Sequence, residues 1–363
     1  MNCRMSVSNG RIKFYPASLE YIEPVLRSLD QQVKYESIRP PASFKPLFQQ
    51  TKRLRVGITY ERAQSMSLEQ LWQVHDTELV YSSGITLLDL KILILERIYS
   101  ACCLCGHNCL VDRYKTKGKC GLSVETYYEY QSTLIGEEDV INPTAGIALF
   151  GCEWNCSFCH AYSHISPKPG LLDGEPLDSG IWSKINYDKC NTIMFSSAGN
   201  PTSHVLNILK VLRGARDNMN LPIVWNSNSY GTKILWKLVN GLVDCYVIDL
   251  KFGNDNCARE LAGCKNHNYY TLETLNSLIK SAGRKIIRWL LLPGHIECCG
   301  KNITNMLSKY DFYVSLVDDF SPSYKMKPNR LNTEAEITKA REMLRSYQLN
   351  DINNPIHSNT FWK

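Results

Sequence analysis

Alternating strand and helix signals after residue 143 constrain the fold of this chain more than any other feature of its sequence. Helical patterns at residues 202–216, 232–239, 271–281 and 302–310 lie between most of the strand candidates. Nearly continuous apolar strands separated by helices are typical of a parallel sheet that helices cover on its outer side. Chemistry in such sheets collects at the carboxyl ends of the strands. The predicted strands are residues 146–150, 192–196, 223–226, 244–250, 285–292 and 312–317.

A cysteine-rich loop follows the first of these strands directly. In GCEWNCSFCH, residues 151–160, Cys152, Cys156 and Cys159 keep CxxxCxxC spacing. Three thiolates on one short loop suit three irons of a [4Fe-4S] cube and leave the fourth iron open to another ligand. The alternatives are a zinc loop or free thiols, but structural zinc needs four protein ligands and only His160 is adjacent. The spacing therefore favours a cluster with one open iron.

Small and polar residues follow the second and third strands. The second strand leads into the turn SAGNP, residues 197–201, where small side chains let the backbone come close to a ligand. Taken alone, the same turn is an ordinary entry into a helix. The third strand ends in WNSN, which places Asn226 and Asn228 on one side of the sheet.

Charged side chains and further cysteines follow the fourth and fifth strands. Asp249 and Lys251 stand two residues apart in CYVIDLKFG, so one interpretation is that they only pair with each other. A Pro-Gly pair ends the fifth strand, and His295 follows it directly. A lone histidine at such a position is often just a surface residue. Cys298 and Cys299 follow as buried thiols, a redox pair or ligands to another centre. The shared position at strand ends favours a common site.

The ordered motifs LLDLK, GCEWNCSFC, GNPT, PIVWNSN, YVIDLKFG and LLPGHIECC resemble those of the radical S-adenosylmethionine (SAM) family, especially proteins similar to pyruvate formate-lyase activating enzyme. Periodicity alone does not separate a barrel from a doubly wound sheet. The resemblance implies an α/β fold with a partial (β/α)6 barrel. It also implies a [4Fe-4S] cluster on the three loop cysteines, with SAM at the open iron. Lys251 and His295 are the predicted catalytic residues. The predicted SAM-binding residues are Phe158, Ser197, Ala198, Gly199, Asn200, Asn226, Asn228, Asp249, Lys251 and His295.

The activity implied by the resemblance is that of an oxidoreductase. The cluster would cleave SAM reductively to a 5'-deoxyadenosyl radical, which abstracts a hydrogen atom from a substrate. That substrate is a glycyl residue of a partner protein, or alternatively another peptide or a small molecule, and flavodoxin or ferredoxin is the expected reductant. A hypothesis of another class is a non-catalytic iron-sulfur or zinc protein that carries electrons or mediates interactions.

A second cysteine group lies upstream, after an apolar helix predicted from residue 86. Cys102, Cys105, Cys109 and Cys120, with Cys103 also available, have a spacing that suits zinc or a second iron-sulfur cluster. Partly buried free thiols are the alternative. Residues 115–119 form a basic loop that closes naturally on the last of these cysteines.

Length and charge set the remaining expectations. The chain has 363 residues, 15 cysteines and a net charge of +6, which is too mild to indicate nucleic acid binding. The N-terminus has no apolar signal region, and no uncharged apolar stretch reaches membrane-spanning length, so a cytoplasmic protein is expected. The predicted segments are an N-terminal extension (1–84, with a helix at 67–74), a cysteine-rich metal module (85–140), the barrel (141–320) and a helical tail (321–363, with a capped helix at 333–347).

Overall fold

The computed structural model describes residues 39–77, 81–134, 138–165, 174–318, 320, 325, 330–352 and 361–362, and the backbone at 4–8 and 11–15. Parts of the predicted segments 1–84 and 321–363 lie outside these residues. The strands are β1 Arg4–Ser8, β2 Arg11–Tyr15, β3 Tyr127–Leu134, β4 Thr144–Leu149, β5 Glu175–Pro176, β6 Thr192–Phe195, β7 Ile223–Asn228, β8 Cys245–Leu250, β9 Arg284–Leu290, β10 Tyr313–Val317 and β11 Asn350–Asp351. The helices are α1 Leu47–Thr51, α2 Tyr60–Ser65, α3 Leu68–Asp76, α4 Leu87–Ile98, α5 Tyr162–Ile165, α6 Ile181–Lys184, α7 Val205–Gly214, α8 Lys233–Val239, α9 Asp255–Ala262, α10 His267–Ile279, α11 Lys301–Leu307 and α12 Glu334–Ser346.

One sheet of nine strands organises the chain, in the order β11-β10-β9-β8-β7-β6-β4-β3-β5. Strands β4 and β6 to β10 lie side by side in the order in which they occur along the chain, and each pairs in parallel with the next, whereas β5 pairs with β3 at the edge of the sheet. Parallel neighbours that follow one another along the chain, with helices in the connections, form the wall of a (β/α) barrel. The predicted α/β fold with a partial (β/α)6 barrel is therefore confirmed.

Burial explains why these strands are apolar throughout rather than alternating. Every residue of β4 and β6 is buried, as expected for strands with both faces covered. On the outer face, α4 packs against α7. A capping box between Thr86 and Asp89 fixes the start of α4, and Thr333 with Glu336 does the same for α12.

Some elements depart from the sequence prediction. The predicted helix at 202–216 divides into a 3-10 turn, Pro201–His204, and α7. Helix α10 begins four residues before the predicted start at 271, and α9 was not predicted. Strand β3 was also missed, and it pairs antiparallel to β4. The main sheet thus begins inside the segment that was predicted as the metal module.

Within the described ranges, none of the helices combines the length and the apolar character that a membrane crossing needs.

Candidate active site

The cysteine loop leaves β4 at Gly151 and runs along the end of α9. Gly151 has φ +110, and a Cβ there would lie 2.7 Å from the Leu122 side chain, so only glycine fits the turn. Within the loop, Asn155 N donates to Ala262 O at 3.1 Å, and Ser157 N donates to Leu261 O at 2.7 Å. The backbone of the loop is therefore held by the helix that follows β8.

Of the three loop thiols, Cys156 is buried, and Cys152 and Cys159 are half-buried. Burial raises the pKa of Cys156 to about 12, against the opposing effect of the Lys251 ammonium. Burial likewise raises the pKa of Cys152 and that of Cys159. Thiols this hard to ionise need a strong positive charge beside them, which metal ions supply. Each cysteine that holds a [4Fe-4S] cluster binds a different iron. The cysteine sulfurs around a cluster therefore stand further apart than those that bind a single metal ion. The donor set fits a cluster.

The SAGNP turn is hydrogen-bonded to the cysteine loop. Leu149 N, at the end of β4, donates to Ala198 O at 2.9 Å, and Asn200 N donates to Gly151 O at 3.1 Å. Gly199 has φ +73 and leaves no room for a Cβ, which would lie 2.1 Å from Leu149 O. The hydroxyl oxygen of Ser197 is buried without a hydrogen-bond partner among the described residues. The turn therefore holds a buried polar atom beside the cysteine loop.

Glu153, which sequence reasoning missed, connects this turn to the loop. Its carboxylate accepts from Asn200 Nδ2, and Ser203 Oγ lies 3.5 Å from it. Burial raises the pKa of Glu153 to about 7, although hydrogen bonds from Asn228 and Asn200 act in the opposite direction. A charged residue between two cysteines of an apolar loop was the available signal, because burying a carboxyl group requires dedicated partners.

Asparagines at the end of β7 serve the same network. Asn228 Nδ2 lies 4.0 Å from Cys152 Sγ, and Asn228 Oδ1 accepts from Tyr230 N at 3.1 Å. Asn226 Nδ2 donates to Ser196 O at 2.7 Å. The two predicted residues thus lie at one edge of the sheet, with Asn228 next to the cysteine loop.

Asp249 and Lys251 form an ion pair at the end of β8. Lys251 Nζ donates to Asp249 Oδ2, and Arg288 Nε lies 3.0 Å from Asp249 Oδ1. Burial opposes ionisation of both partners. The pKa of Asp249 is nevertheless lowered by Arg288 and Lys251, and that of Lys251 is raised by Asp249 and Cys156. Asp249 is shared between Lys251 and Arg288, so it compensates the charge of the Lys251 ammonium only in part. The Lys251 ammonium also acts on the Cys156 thiol.

Aromatic rings surround the last cysteines of the loop. Phe158 is buried, with its ring centroid 6.0 Å from those of both Phe252 and Phe320. Trp154 packs 5.8 Å from Phe252. The predicted SAM contact Phe158 therefore belongs to an apolar wall beside the cysteine loop.

His295 lies beside Cys298, with 3.4 Å between His295 Nδ1 and Cys298 Sγ. Burial lowers its pKa, although the nearby carboxylates of Glu260 and Glu336 act in the opposite direction. The predicted catalytic role of His295 at the SAM site stays a prediction.

The upstream cysteines lie next to the loop as a separate group. A Cβ on Gly118 would lie 3.2 Å from Cys120 Sγ and 3.6 Å from Cys109 Sγ, so these two thiols face the same glycine. Burial, and after it the Glu153 carboxyl group, raise the pKa of Cys105. Taking Cys102, Cys105, Cys109 and Cys120 as described, no three of their sulfurs lie within 4.8 Å of one another. The predicted second metal site stays a prediction.

Hydrogen bonds attach this cysteine group to the barrel. His107 Nε2 lies 2.6 Å from Glu153 O, within the cysteine loop. Gly106 N donates to Tyr230 O at 2.9 Å, just past β7.

No family model matches the chain. It is 32% identical over 320 residues to the uncharacterized protein MJ0674 of Methanocaldococcus jannaschii, and the match covers 81% of this chain and 93% of that protein. The chain belongs to the MJ0674 family. Because MJ0674 is itself uncharacterized, membership of the MJ0674 family assigns no substrate.

Several solved structures are similar to this member of the MJ0674 family. TYW1 with a lysine-pyruvate adduct bound is 18% identical, with a TM-score of 0.37 over 54% of this chain and 70% of that chain. A radical SAM methyltransferase from Sphaerobacter thermophilus is 12% identical, with a TM-score of 0.45 over 81% of this chain and 94% of its own. Streptococcus suis SuiB bound to precursor peptide SuiA is 13% identical, with a TM-score of 0.41 over 56% of this chain and 46% of its own.

Proposed function

We propose that this chain is a radical SAM enzyme. The observation that carries the proposal is the junction between the cysteine loop and the SAGNP turn, where Leu149 N donates to Ala198 O and Asn200 N donates to Gly151 O. The ion pair of Asp249 and Lys251 stands at the same edge of the sheet, and the Lys251 ammonium acts on Cys156. Ligands for a cluster, the buried Ser197 hydroxyl, which has no hydrogen-bond partner among the described residues, and the partly buried Lys251 ammonium thus lie at the carboxyl ends of parallel strands.

The residues of the chain have distinct proposed tasks. Cys152, Cys156 and Cys159 would hold the [4Fe-4S] cluster. When bound, the cluster and SAM supply a one-electron cleavage that gives methionine and a 5'-deoxyadenosyl radical able to take a hydrogen atom from a substrate. Lys251 would bind the SAM carboxylate, and Ser197 would contact the SAM amino group.

Exclusion of water is the task proposed for the aromatic wall. Trp154, Phe158 and Phe252 are buried around the cysteine loop. A dry site strengthens the charge interactions of Lys251 and protects a reactive radical from solvent. A radical of this kind also requires the substrate close to its radical carbon, because positioning lowers the barrier to hydrogen-atom transfer.

Anaerobic reconstitution tests the proposal. The full chain, supplied with iron, sulfide, dithionite and SAM, is expected to release 5'-deoxyadenosine. Cys156→Ala should abolish the product, whereas Cys190→Ala, which removes a buried thiol from the main core, should keep it. If Cys156→Ala retains the product, the assignment is wrong. A chain that binds iron but neither binds nor cleaves SAM would instead support the electron carrier or interaction module.

The proposed substrate is a glycyl residue of a partner protein, because the ordered sequence motifs resemble those of activating enzymes. The matching assay adds candidate partner proteins, with flavodoxin or ferredoxin in place of dithionite. A persistent glycyl radical signal in electron paramagnetic resonance is expected with the right partner. A new covalent product without that signal would favour modification of a peptide or a small molecule.

A further inference from the structure

A second group of potential metal ligands lies where the loops after β8 and β9 meet. Cys257 stands in the first turn of α9, after β8. His295, Cys298 and Cys299 stand in and just before a π-helical turn, Ile296–Gly300, after β9. The ligand atoms of these four side chains all lie within 4.8 Å of one another. No other group of three or more His, Cys, Asp or Glu side chains in the described ranges meets that spacing.

We propose that Cys257, His295, Cys298 and Cys299 bind one zinc ion. Three thiolates and one imidazole form a complete tetrahedral donor set for structural zinc. The site is distinct from the cysteine loop and does not depend on the proposed SAM chemistry. It assigns His295 to the zinc ion instead of the SAM site for which the sequence predicted it.

The three distances from Cys298 to the other ligand atoms fit one tetrahedral ion. With metal-sulfur bonds of about 2.3 Å and a metal-nitrogen bond of about 2.05 Å, two sulfurs stand about 3.8 Å apart and a nitrogen stands about 3.6 Å from a sulfur. Cys298 Sγ lies 3.6 Å from Cys257 Sγ, 3.7 Å from Cys299 Sγ and 3.4 Å from His295 Nδ1. A cube of four irons would need wider spacing, because each cysteine binds its own iron.

Asn254 supports the group from the loop after β8. Its Nδ2 lies 3.3 Å from Cys257 Sγ and 3.5 Å from Cys299 Sγ, and donates to Cys298 O at 3.0 Å. Its Oδ1 accepts from Cys257 N at 2.8 Å and caps α9. Amide donors of this kind orient ligating sulfurs and offset their negative charge. One side chain therefore holds both halves of the proposed site.

The backbones of the two loops approach closely at the same point. A Cβ on Gly253 would lie 2.3 Å from Cys299 O. Asn302 Nδ2 also donates to Gly253 O at 3.1 Å. Gly253 comes two residues after Lys251, so an ion here would fix the loop that begins at the proposed SAM ligand.

A disulfide is the competing interpretation of two neighbouring thiols. Cys257 Sγ and Cys298 Sγ are 3.6 Å apart, whereas bonded sulfurs stand about 2.05 Å apart. A disulfide would also leave Cys299 and His295 without a role. Zinc binding uses all four side chains, and the protons lost by the three thiols go to solvent.

Metal counting on the full chain tests the proposal. The chain and its variants are purified without oxygen from zinc-supplemented medium and reconstituted with iron and sulfide, and zinc and iron per chain are measured by mass spectrometry. Cys257→Ala and Cys298→Ala should each hold one zinc fewer than the unaltered chain, with equal iron. Cys190→Ala should match the unaltered chain. Because a difference is measured, zinc bound by the upstream cysteines does not obscure the result.

Cobalt substitution supplies an independent readout. The unaltered chain loaded with Co²⁺ should show thiolate-to-cobalt charge transfer and the visible bands of a tetrahedral ion, and Cys298→Ala should weaken both. Cys298 is exposed, so circular dichroism of this variant should match that of the unaltered chain. Equal zinc in both variants and the unaltered chain would overturn the proposal. A Cys257–Cys298 disulfide in chain kept from oxygen would overturn it as well.

Discussion

Replacing Gly199 by alanine should break the junction on which the proposed site depends. Gly199 has φ +73, and a Cβ there would lie 2.1 Å from Leu149 O and 2.8 Å from Gly151 O. Both atoms belong to backbone that carries the cysteine loop, so the contact is not relieved by rotating a side chain. The substitution should therefore be felt at the cluster as well as in the turn.

The magnitude follows from two separate costs. An alanine in the left-handed region costs about 1–2 kcal/mol. Ordinary contact begins at 3.4 Å, so the Leu149 oxygen has to move by 3.4 − 2.1 = 1.3 Å. Overpacking of this kind adds about 1–3 kcal/mol. Moving Leu149 also strains the bond from its N to Ala198 O, and the total destabilisation should be about 2–5 kcal/mol.

Gly263→Ala is the matched control. Gly263 has φ +69, close to that of Gly199, but a Cβ there would meet nothing within 4 Å. This variant should be destabilised only by its left-handed backbone conformation, by about 1–2 kcal/mol. Urea unfolding and iron per chain are measured for both variants under anaerobic conditions. Gly199→Ala should be the less stable and should bind less iron. Equal stability and equal iron in the two variants would refute the reasoning.

Two further substitutions test buried charges. Burial lowers the pKa of Lys91 from 10.5 to about 7. The folded chain therefore binds this proton more weakly than the unfolded chain does, and protonation disfavours folding below pH 10.5. Lys91→Met should stabilise the chain at pH 7 by roughly 2–4 kcal/mol, after the loss of the Lys91 hydrogen bonds is taken into account. In urea unfolding, this gain should shrink as the pH approaches 10.5. No gain in stability at pH 7 would contradict the argument. Lys251→Met should weaken SAM binding about 10- to 100-fold in calorimetry with iron unchanged, whereas Lys210→Met on the surface should bind SAM normally.

The strands and the outer helix were predictable because their signals are local. The apolar run of α4 follows a threonine cap, and the predicted start at residue 86 matches its N-cap. Helix α9 was missed because its sequence DNCARELA is polar and short. Strand β3 was missed because it forms by pairing with β4, a tertiary contact that the local sequence of β3 does not predict.

The candidate sites divide in the same way. The spacing of cysteines within one loop predicts a site from sequence. Cys257 and Cys298, however, are 41 residues apart and come together only because β8 and β9 are neighbours in the sheet. Sequence spacing predicted neither that pair nor the position of His295 beside it. Such sites require the order of strands in the sheet, which the sequence supported only through resemblance.

The sequence analysis placed Asn200 among the SAM-binding residues. In the structure its Nδ2 donates to Glu153 and its Oδ1 accepts from Ser227 Oγ at 2.8 Å. Both ends of the amide therefore work inside the protein, where they satisfy a buried carboxyl group whose pKa burial raises to about 7. Ser197, three residues earlier in the chain, has the buried oxygen without a partner in the described part of the chain. A buried hydroxyl without a partner costs free energy until a ligand satisfies it, so we assign the contact with the SAM amino group to Ser197 and the support of Glu153 to Asn200.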